Sequence, residues 1–145
     1  MLRHTHASLR LGLLLRQSHQ RAAAALNDAL AQLNLTGKHF GVLLLIHRDG
    51  VSTQRDLIRE TGSDKAGMVR TVEDLENLGY LSRTRSTTDK RVSELTLTDA
   101  GRAAFDTARK LGSTAGQELF ESFTDAELDT LEDLLTRFVD AGRQT

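Results

Sequence analysis

The chain has no cysteine, no proline and no tryptophan. Without thiols there is no disulfide frame, no thiolate metal site and no thiol redox switch. Without proline, long unbroken helices are permitted. A long hydrophobic run is also missing. The apolar stretch LRLGLLLR, which follows Arg3, His4 and His6, is too short to cross a membrane, and Arg10 and Arg16 interrupt it. We expect no signal peptide, no membrane partner and a cytoplasmic location. Nor does the sequence carry a phosphate-binding glycine loop, a nucleophile elbow or paired catalytic carboxylates. Asp56/Glu60 and Glu73/Asp74 read as solvated helix faces, so neither an enzyme nor a cofactor is expected. The five histidines include no pair at metal-protease spacing. His39 and His47 stand two helical turns apart, too far to chelate by themselves.

What is present is a 145-residue chain, 39% hydrophobic and 27% charged, enough for one domain with a proper core. The net charge of −1 argues against a general nucleic-acid coat, but the charge is unevenly spread. Residues 1–50 hold six Lys/Arg and two Asp/Glu, residues 51–98 eight of each, and residues 99–145 five Lys/Arg and ten Asp/Glu. Within the balanced middle, Arg83, Arg85, Lys90 and Arg91 crowd together against Asp89 alone. DNA requires positive charge where its phosphates lie, not a basic protein overall.

Residues 63–101 organise the chain. Val69, Val72, Leu75 and Leu78 recur at three-residue steps and read as a helix face. Ser63 is placed to cap that helix and Gly79 to end it in a left-handed turn. Residues 81–85 and 92–97 then alternate as two strands joined by a polar turn with Lys90 and Arg91 near its tip. A helix followed by a basic-tipped hairpin is the plan of a winged helix. Upstream, a long helix is expected over 7–33, ending at Asn34. Thr36 would open a helix over 37–48 with Val42, Leu43, Leu45 and Ile46 inward. Thr53, with Asp56 resembling a capping box, would open a third, carrying Leu57 and Ile58 and ending at Thr61-Gly62. This third helix and the one that follows form a helix-turn-helix, the second being the reader.

Downstream, Thr98 would cap a helix running to about 121, with Ala103, Ala104, Ala108, Leu111, Ala115, Leu119 and Phe120 on its apolar side. Gly112 and Gly116 would permit close helix contact or weaken the helix. Thr124 and Glu127 form a capping box for the last helix, 125–141, which carries the stripe Leu128, Leu131, Leu135 and Phe138. A small winged helix does not cover these faces. We therefore expect Leu15 and the last stripe to meet a second copy of the chain, the bland alternative being that the helices fold back on their own domain. The architecture expected is mainly α with a small β-hairpin: one domain over 1–145, with a winged helix-turn-helix at 36–98 and dimerisation helices at 1–34 and 99–145.

The segment GYLSRTRSTTDKRVSELTLTDAG resembles the MarR family of bacterial transcriptional regulators. The matching positions are Gly79, Tyr80, Leu81, Arg83, Arg85, Ser86, Asp89, Arg91, Leu97, Thr98 and Gly101, with Leu35-Thr36, Asp64-Lys65 and Arg70 in addition. The resemblance implies a homodimer on an inverted-repeat operator, acting as a repressor released by a small aromatic or anionic effector. It implies DNA contacts from Ser63, Lys65, Gly67, Met68 and Arg70 on the reading helix and from Arg83, Arg85, Lys90 and Arg91 on the wing, with Asp89 orienting Arg91. Arg91 would enter a minor groove, Lys65 and Arg70 would address guanine or phosphate, and Lys90 a phosphate. Thr53, Gln54 and Arg55 are candidates for backbone contacts. Met68 has an equal alternative as core, and the arginines as solvated surface. Ala66 and Gly67 stand where the family often has small hydroxyl residues, which moves weight to Lys65, Arg70 and the wing. The effector pocket has no named residues, though His19, His39 and Phe40 lie on helices where a crevice could form. The competing readings are a winged-helix protein-interaction module without DNA binding and a metal-responsive regulator.

Overall fold

A computed structural model of the chain describes the backbone of residues 2–143 and the side chains of residues 6–143. Arg3 and His4 therefore lie outside the described side chains. The elements in order are α1 (Leu2–Leu30), a 3-10 turn (Ala31–Leu33), α2 (Gly37–Asp49), α3 (Gln54–Thr61), α4 (Lys65–Asn77), β1 (Leu81–Arg85), β2 (Ser93–Leu97), α5 (Asp99–Leu119) and α6 (Asp125–Gly142). This is the expected helical chain with one antiparallel hairpin. The first helix starts earlier than the expected residue 7, so His6 sits on it. The α-helix gives way at Leu30 to the 3-10 turn. Asn34 closes that turn at φ +56°, a left-handed position asparagine tolerates.

The boundaries come from caps. Thr53 accepts from the Asp56 N–H and Thr98 from the Gly101 N–H, while Thr124 and Glu127 cap one another reciprocally. Only half of the box expected at Thr53 forms, the hydroxyl half. Glycines in the left-handed region end α2 (Gly50) and α3 (Gly62). Between α2 and α3, Ser52 bridges to Leu95 with N–H to O distances of 3.0 and 2.7 Å.

One core joins the reading unit to α1 and α5: Leu30, Leu35, Val42, Leu43, Ile46, Leu57, Met68, Val72, Leu75, Leu81, Leu95, Leu97, Phe105 and Ala108. On α4 the buried residues are Met68, Thr71, Val72 and Leu75; of the expected stripe Val72 and Leu75 are buried, Val69 is half-buried and Leu78 is exposed. Steps of three advance only about 300° around a helix of 3.6 residues per turn, so a 69-72-75-78 row winds off the face. The spacing i, i+3, i+4, i+7 stays on it. On α5 the sequence reading omitted Phe105, which is buried and stacks on Phe40 and His47 with ring centroids 5.8 and 4.4 Å away. Ala103, expected on the apolar side, faces solvent.

Helix α1 packs along α5. Gly112 permits the approach, since a Cβ there would lie 3.3 Å from Leu26 Cδ1; at Gly116 it would meet nothing within 4 Å. Helix α6 packs closely on no other element of its own chain among the described residues. Leu134, Leu135, Phe138 and Val139 on α6, and Leu9, Leu11, Leu13 and Leu14 on α1, are exposed; Leu15, Leu128 and Leu131 are half-buried.

The end of α4 is tied to the start of α5. The Tyr80 N–H bonds back to Leu75 O and the Gly79 N–H to Glu76 O, the two bonds of a Schellman stop around Gly79 at φ +79°. A Cβ at Gly101 would fall 2.1 Å from Tyr80 O, backbone against side chain with nowhere to move. Gly101→Ala is expected to lower stability by about 3 kcal/mol, the upper part of the range for an overfilled site, read as a shifted midpoint in urea unfolding.

Candidate nucleic-acid interface

Helix α4 follows α3 after a three-residue joint at 62–64. Its cap is Asp64, whose Oδ1 accepts the Gly67 N–H at 2.6 Å; Ser63, the expected cap, is half-buried beside it, its N–H on Thr61 Oγ1 at 3.3 Å. The aspartate outcompetes the serine because its charge also meets the positive end of the helix. Gly67 makes the cap possible at this distance: a Cβ there would sit 3.0 Å from Asp64 Oδ1. Lys65 and Arg70 are exposed and have no acidic partner among the described residues. Met68, read from the sequence as either a base contact or core, is core at 2% exposure. A thioether buried to that degree reaches no groove, and the DNA-contact reading of Met68 is corrected.

The strands pair Leu81 with Leu97, Arg83 with Leu95 and Arg85 with Ser93. Partners across an antiparallel ladder share a face, so Arg83 lies on the side that carries Leu81, Leu95 and Leu97 inward. There its guanidinium meets Glu76 of α4, with N–O distances of 2.6 and 3.5 Å. The hydrogen bond to Glu76 raises the Arg83 pKa above its ordinary value, against a smaller opposing effect of burial. Arg83 therefore joins the wing to the reading helix, whereas the sequence had placed it on phosphate. Arg85 is exposed and has no ion-pair partner among the described residues.

The wing tip is built on Ser86, one of the few buried polar residues. Its Oγ accepts the Thr88 and Asp89 N–H groups at 3.2 and 3.3 Å, and its own N–H bonds to Val92 O at 2.9 Å, closing the loop. Serine followed by threonine and aspartate is the composition of such hydroxyl turns, a signal the sequence offered. Asp89 Oδ1 then accepts both the Arg91 backbone N–H at 3.0 Å and its Nε at 3.3 Å. The Arg91 side chain is 92% exposed, held at its base and free at its end, as expected of a residue aimed outward. Lys90 beside it is exposed and unpaired among the described residues.

A second tie to α4 had no local signal. His39 Nε2 lies 3.0 Å from Asp74 Oδ2, linking the start of α2 to the reading helix. No group of three His, Asp or Glu able to hold a metal occurs among the described residues. Among the described residues no single helix is long and apolar enough to cross a membrane.

A two-helix reader followed by a pinned, cation-tipped hairpin defines a winged helix-turn-helix of the DNA-binding class. The comparisons with known proteins narrow this. A family model described as MarR family matches residues 33–92. The multiple antibiotic resistance protein MarR of Escherichia coli strain K12 is 30% identical over 128 residues, covering 88% of this chain and 89% of that one. A mutant of the same protein, solved in complex with operator DNA, superposes with a TM-score of 0.83 at 29% identity, covering 91% and 95% of the two chains. Bordetella bronchiseptica BpsR, solved in a study of how 6-hydroxynicotinic acid regulates its DNA binding, gives 0.82 at 26% identity over 90% and 98%. The chain belongs to the MarR family, a family of transcriptional regulators, and is a DNA-binding regulator of that type.

The Glu76–Arg83 pair is checked by a double-mutant cycle. With side chains 29% and 36% exposed, Glu76→Gln and Arg83→Gln should couple by about 0.5–1 kcal/mol in urea unfolding, the range for partly solvated bidentate pairs.

Proposed function

We propose that the protein is a cytoplasmic homodimeric regulator that binds an inverted-repeat operator, represses the adjacent genes and is released by a small aromatic or anionic effector. The observation that carries the reading is Arg91, projected from a wing whose tip is braced by Ser86 and Asp89. A surface arginine in an incidental pair needs no such mount. A guanidinium entering a minor groove does, because holding it in place beforehand lowers the entropy lost on binding. Lys65 and Arg70 on α4, with Ser63 and Gly67 near its start, serve the major groove. Arg85 and Lys90 serve phosphates, while Arg83 keeps to Glu76.

The unit 36–98 reads DNA; 1–34 and 99–145 pair two chains into one molecule. Support for the pairing lies in the exposed apolar residues of α1 and α6 and in an α6 with almost no contact to its own chain. Leu15, Leu128, Leu131, Leu135 and Phe138 are the residues assigned to that seam. Two reading helices about 34–36 Å apart then meet successive major grooves. An effector acts by favouring a different spacing of the two readers, as for any ligand with unequal affinity for two states. The E. coli MarR complex with operator DNA and the regulation of BpsR by 6-hydroxynicotinic acid lend this support by similarity.

The test is fluorescence anisotropy on DNA from upstream of the gene. Arg91→Ala should weaken binding about tenfold, the scale of one charge-assisted contact. Arg85→Ala and Lys90→Ala should each reduce the slope of log affinity against log salt by about 0.9, one phosphate apiece, with Arg83→Ala leaving the slope unchanged. Unaltered affinity in Arg91→Ala defeats the wing assignment. Binding insensitive to salt would favour a protein-interaction module instead. Sedimentation of the purified chain as a monomer would defeat the dimer.

A further inference from the structure

The reading helix is joined to the long first helix by a chain of polar contacts that neither the core nor the DNA-facing side chains require. Asn27 of α1 accepts the Gly37 N–H on its Oδ1 at 2.7 Å, gripping the first residue of α2. One residue earlier, the Thr36 N–H donates to His39 Nδ1 at 2.9 Å, with the Thr36 hydroxyl 3.0 Å from the same nitrogen. The other ring nitrogen, Nε2, meets Asp74 Oδ2 on α4 at 3.0 Å. A backbone N–H only donates, so Nδ1 carries the lone pair and the ring proton sits on Nε2, directed at the carboxylate. Three short contacts thus run from α1 through the start of α2 to α4.

The joint between α1 and α2 is short: the 3-10 turn, the left-handed Asn34, the buried Leu35 and Thr36. The imidazole, in contrast, stands in a place that apolar packing leaves open. His39 and Asp74 line two surface grooves of about 240 and 310 Å³. Asp74 is 59% exposed while the His39 ring is only 12% exposed, so the ring is held and the carboxylate comes to it.

We infer that His39 and Asp74 are positioning residues: a hydrogen-bonded strut that sets the attitude of the reading helix relative to α1. This rests on the reading of α4 as the DNA reader and gives that reading a means of control. A shift of α1 against its partner chain moves Gly37 through Asn27, rotates the start of α2, and pulls or pushes α4 through the ring. Neither His39 nor Asp74 touches DNA in this account; both act through the placement of Lys65 and Arg70.

The experiment has one arm on DNA and one independent of it, both on the full chain. On the same upstream DNA, His39→Ala and Asp74→Ala should each cost roughly tenfold in affinity, the scale of one charge-assisted hydrogen bond. The salt slope should not change, and the double variant should be no worse than either single one. Asp74→Asn should stay close to the parent, because its amide oxygen still accepts from Nε2–H. Comparing Asn with Ala separates the strut from the simple loss of a negative charge near phosphates. Long-range proton–nitrogen NMR of the imidazole should show an Nε2-protonated His39 in the parent chain and a mixture of tautomers in Asp74→Ala. A slope that falls by about one in His39→Ala makes it a phosphate contact. Additive losses, equal losses in Asp74→Asn and Asp74→Ala, or a tautomer indifferent to Asp74 overturn the strut. A parent chain that binds no upstream DNA refutes the reader, and the NMR arm still judges the strut.

Discussion

Four segments of the chain converge on the backbone at Thr98, and the geometry of the reader and wing depends on how they are joined there. The Thr98 hydroxyl donates to Gly79 O at 2.6 Å and accepts from the Gly101 N–H at 3.0 Å, while the Thr98 N–H bonds to Tyr80 O at 3.1 Å. One side chain therefore caps α5 and closes the end of α4. Gly101 lets the first turn of α5 lie directly on Tyr80 O, which any Cβ would block. The two strands leave this point paired from Leu81–Leu97 outward. The wing, the reading helix and the long α5 thus share one origin, and α5 carries the arrangement on to α1. The knot needs a hydroxyl that can donate and accept at once and, three residues on, a residue with no side chain.

A chain with net charge −1 can bind a polyanion only if its cations are sorted. The reading helix itself carries Glu73, Asp74 and Glu76 in its second half. Asp74 is paired with His39 and Glu76 with Arg83, so two of these carboxylates have protein partners, Glu76 the less exposed of the two. The first half keeps Lys65 and Arg70, and the wing keeps Arg85, Lys90 and the outer end of Arg91, all exposed. Other arginines are occupied elsewhere, Arg48 on Asp49 and Arg59 on Asp56. The local field is thus set by which cations have no carboxylate beside them. Composition does not reveal that distribution; the ion pairs do.

This distinction also separates what the sequence disclosed from what it did not. Caps and stops are local chemistry, and Thr53, Thr98, Thr124, Gly62 and Gly79 could be placed from a few neighbouring residues. The wing was legible for the same reason: its cations, its aspartate and its strands fall within one short run. The rotation of α4 was not, because Val69 and Leu78 are as apolar as the residues that are buried, and only the packed partners decide between two overlapping stripes. Met68 and Phe105 were placed by tertiary contacts with helices distant in sequence. The pairs Arg83–Glu76 and His39–Asp74 join residues seven and thirty-five positions apart. No pattern rule favours these partners over several others, so an arginine that looked free for DNA proved to be occupied.

Helix α6 tests how far a single chain accounts for its own shape. It is 18 residues long with a full capping box, yet isolated helices of about this length are marginal in water and owe their stability to burying an apolar face. Its Leu134, Leu135, Phe138 and Val139 are 40–65% exposed. Among the described residues no other element packs closely on α6, and its end only approaches α3 where Arg143 lies 3.9 Å from Glu60. The N-terminal half of α1 has the same deficit, with Leu9 at 73% and Leu11 and Leu13 at 57% exposed. In the proposed dimer these two deficits satisfy each other. The formation of α6, the burial of the start of α1 and the spacing of the two readers are then a single equilibrium. In that dimer a small effector would not need to reach the DNA-binding surface; favouring one packing of these exposed helices would suffice.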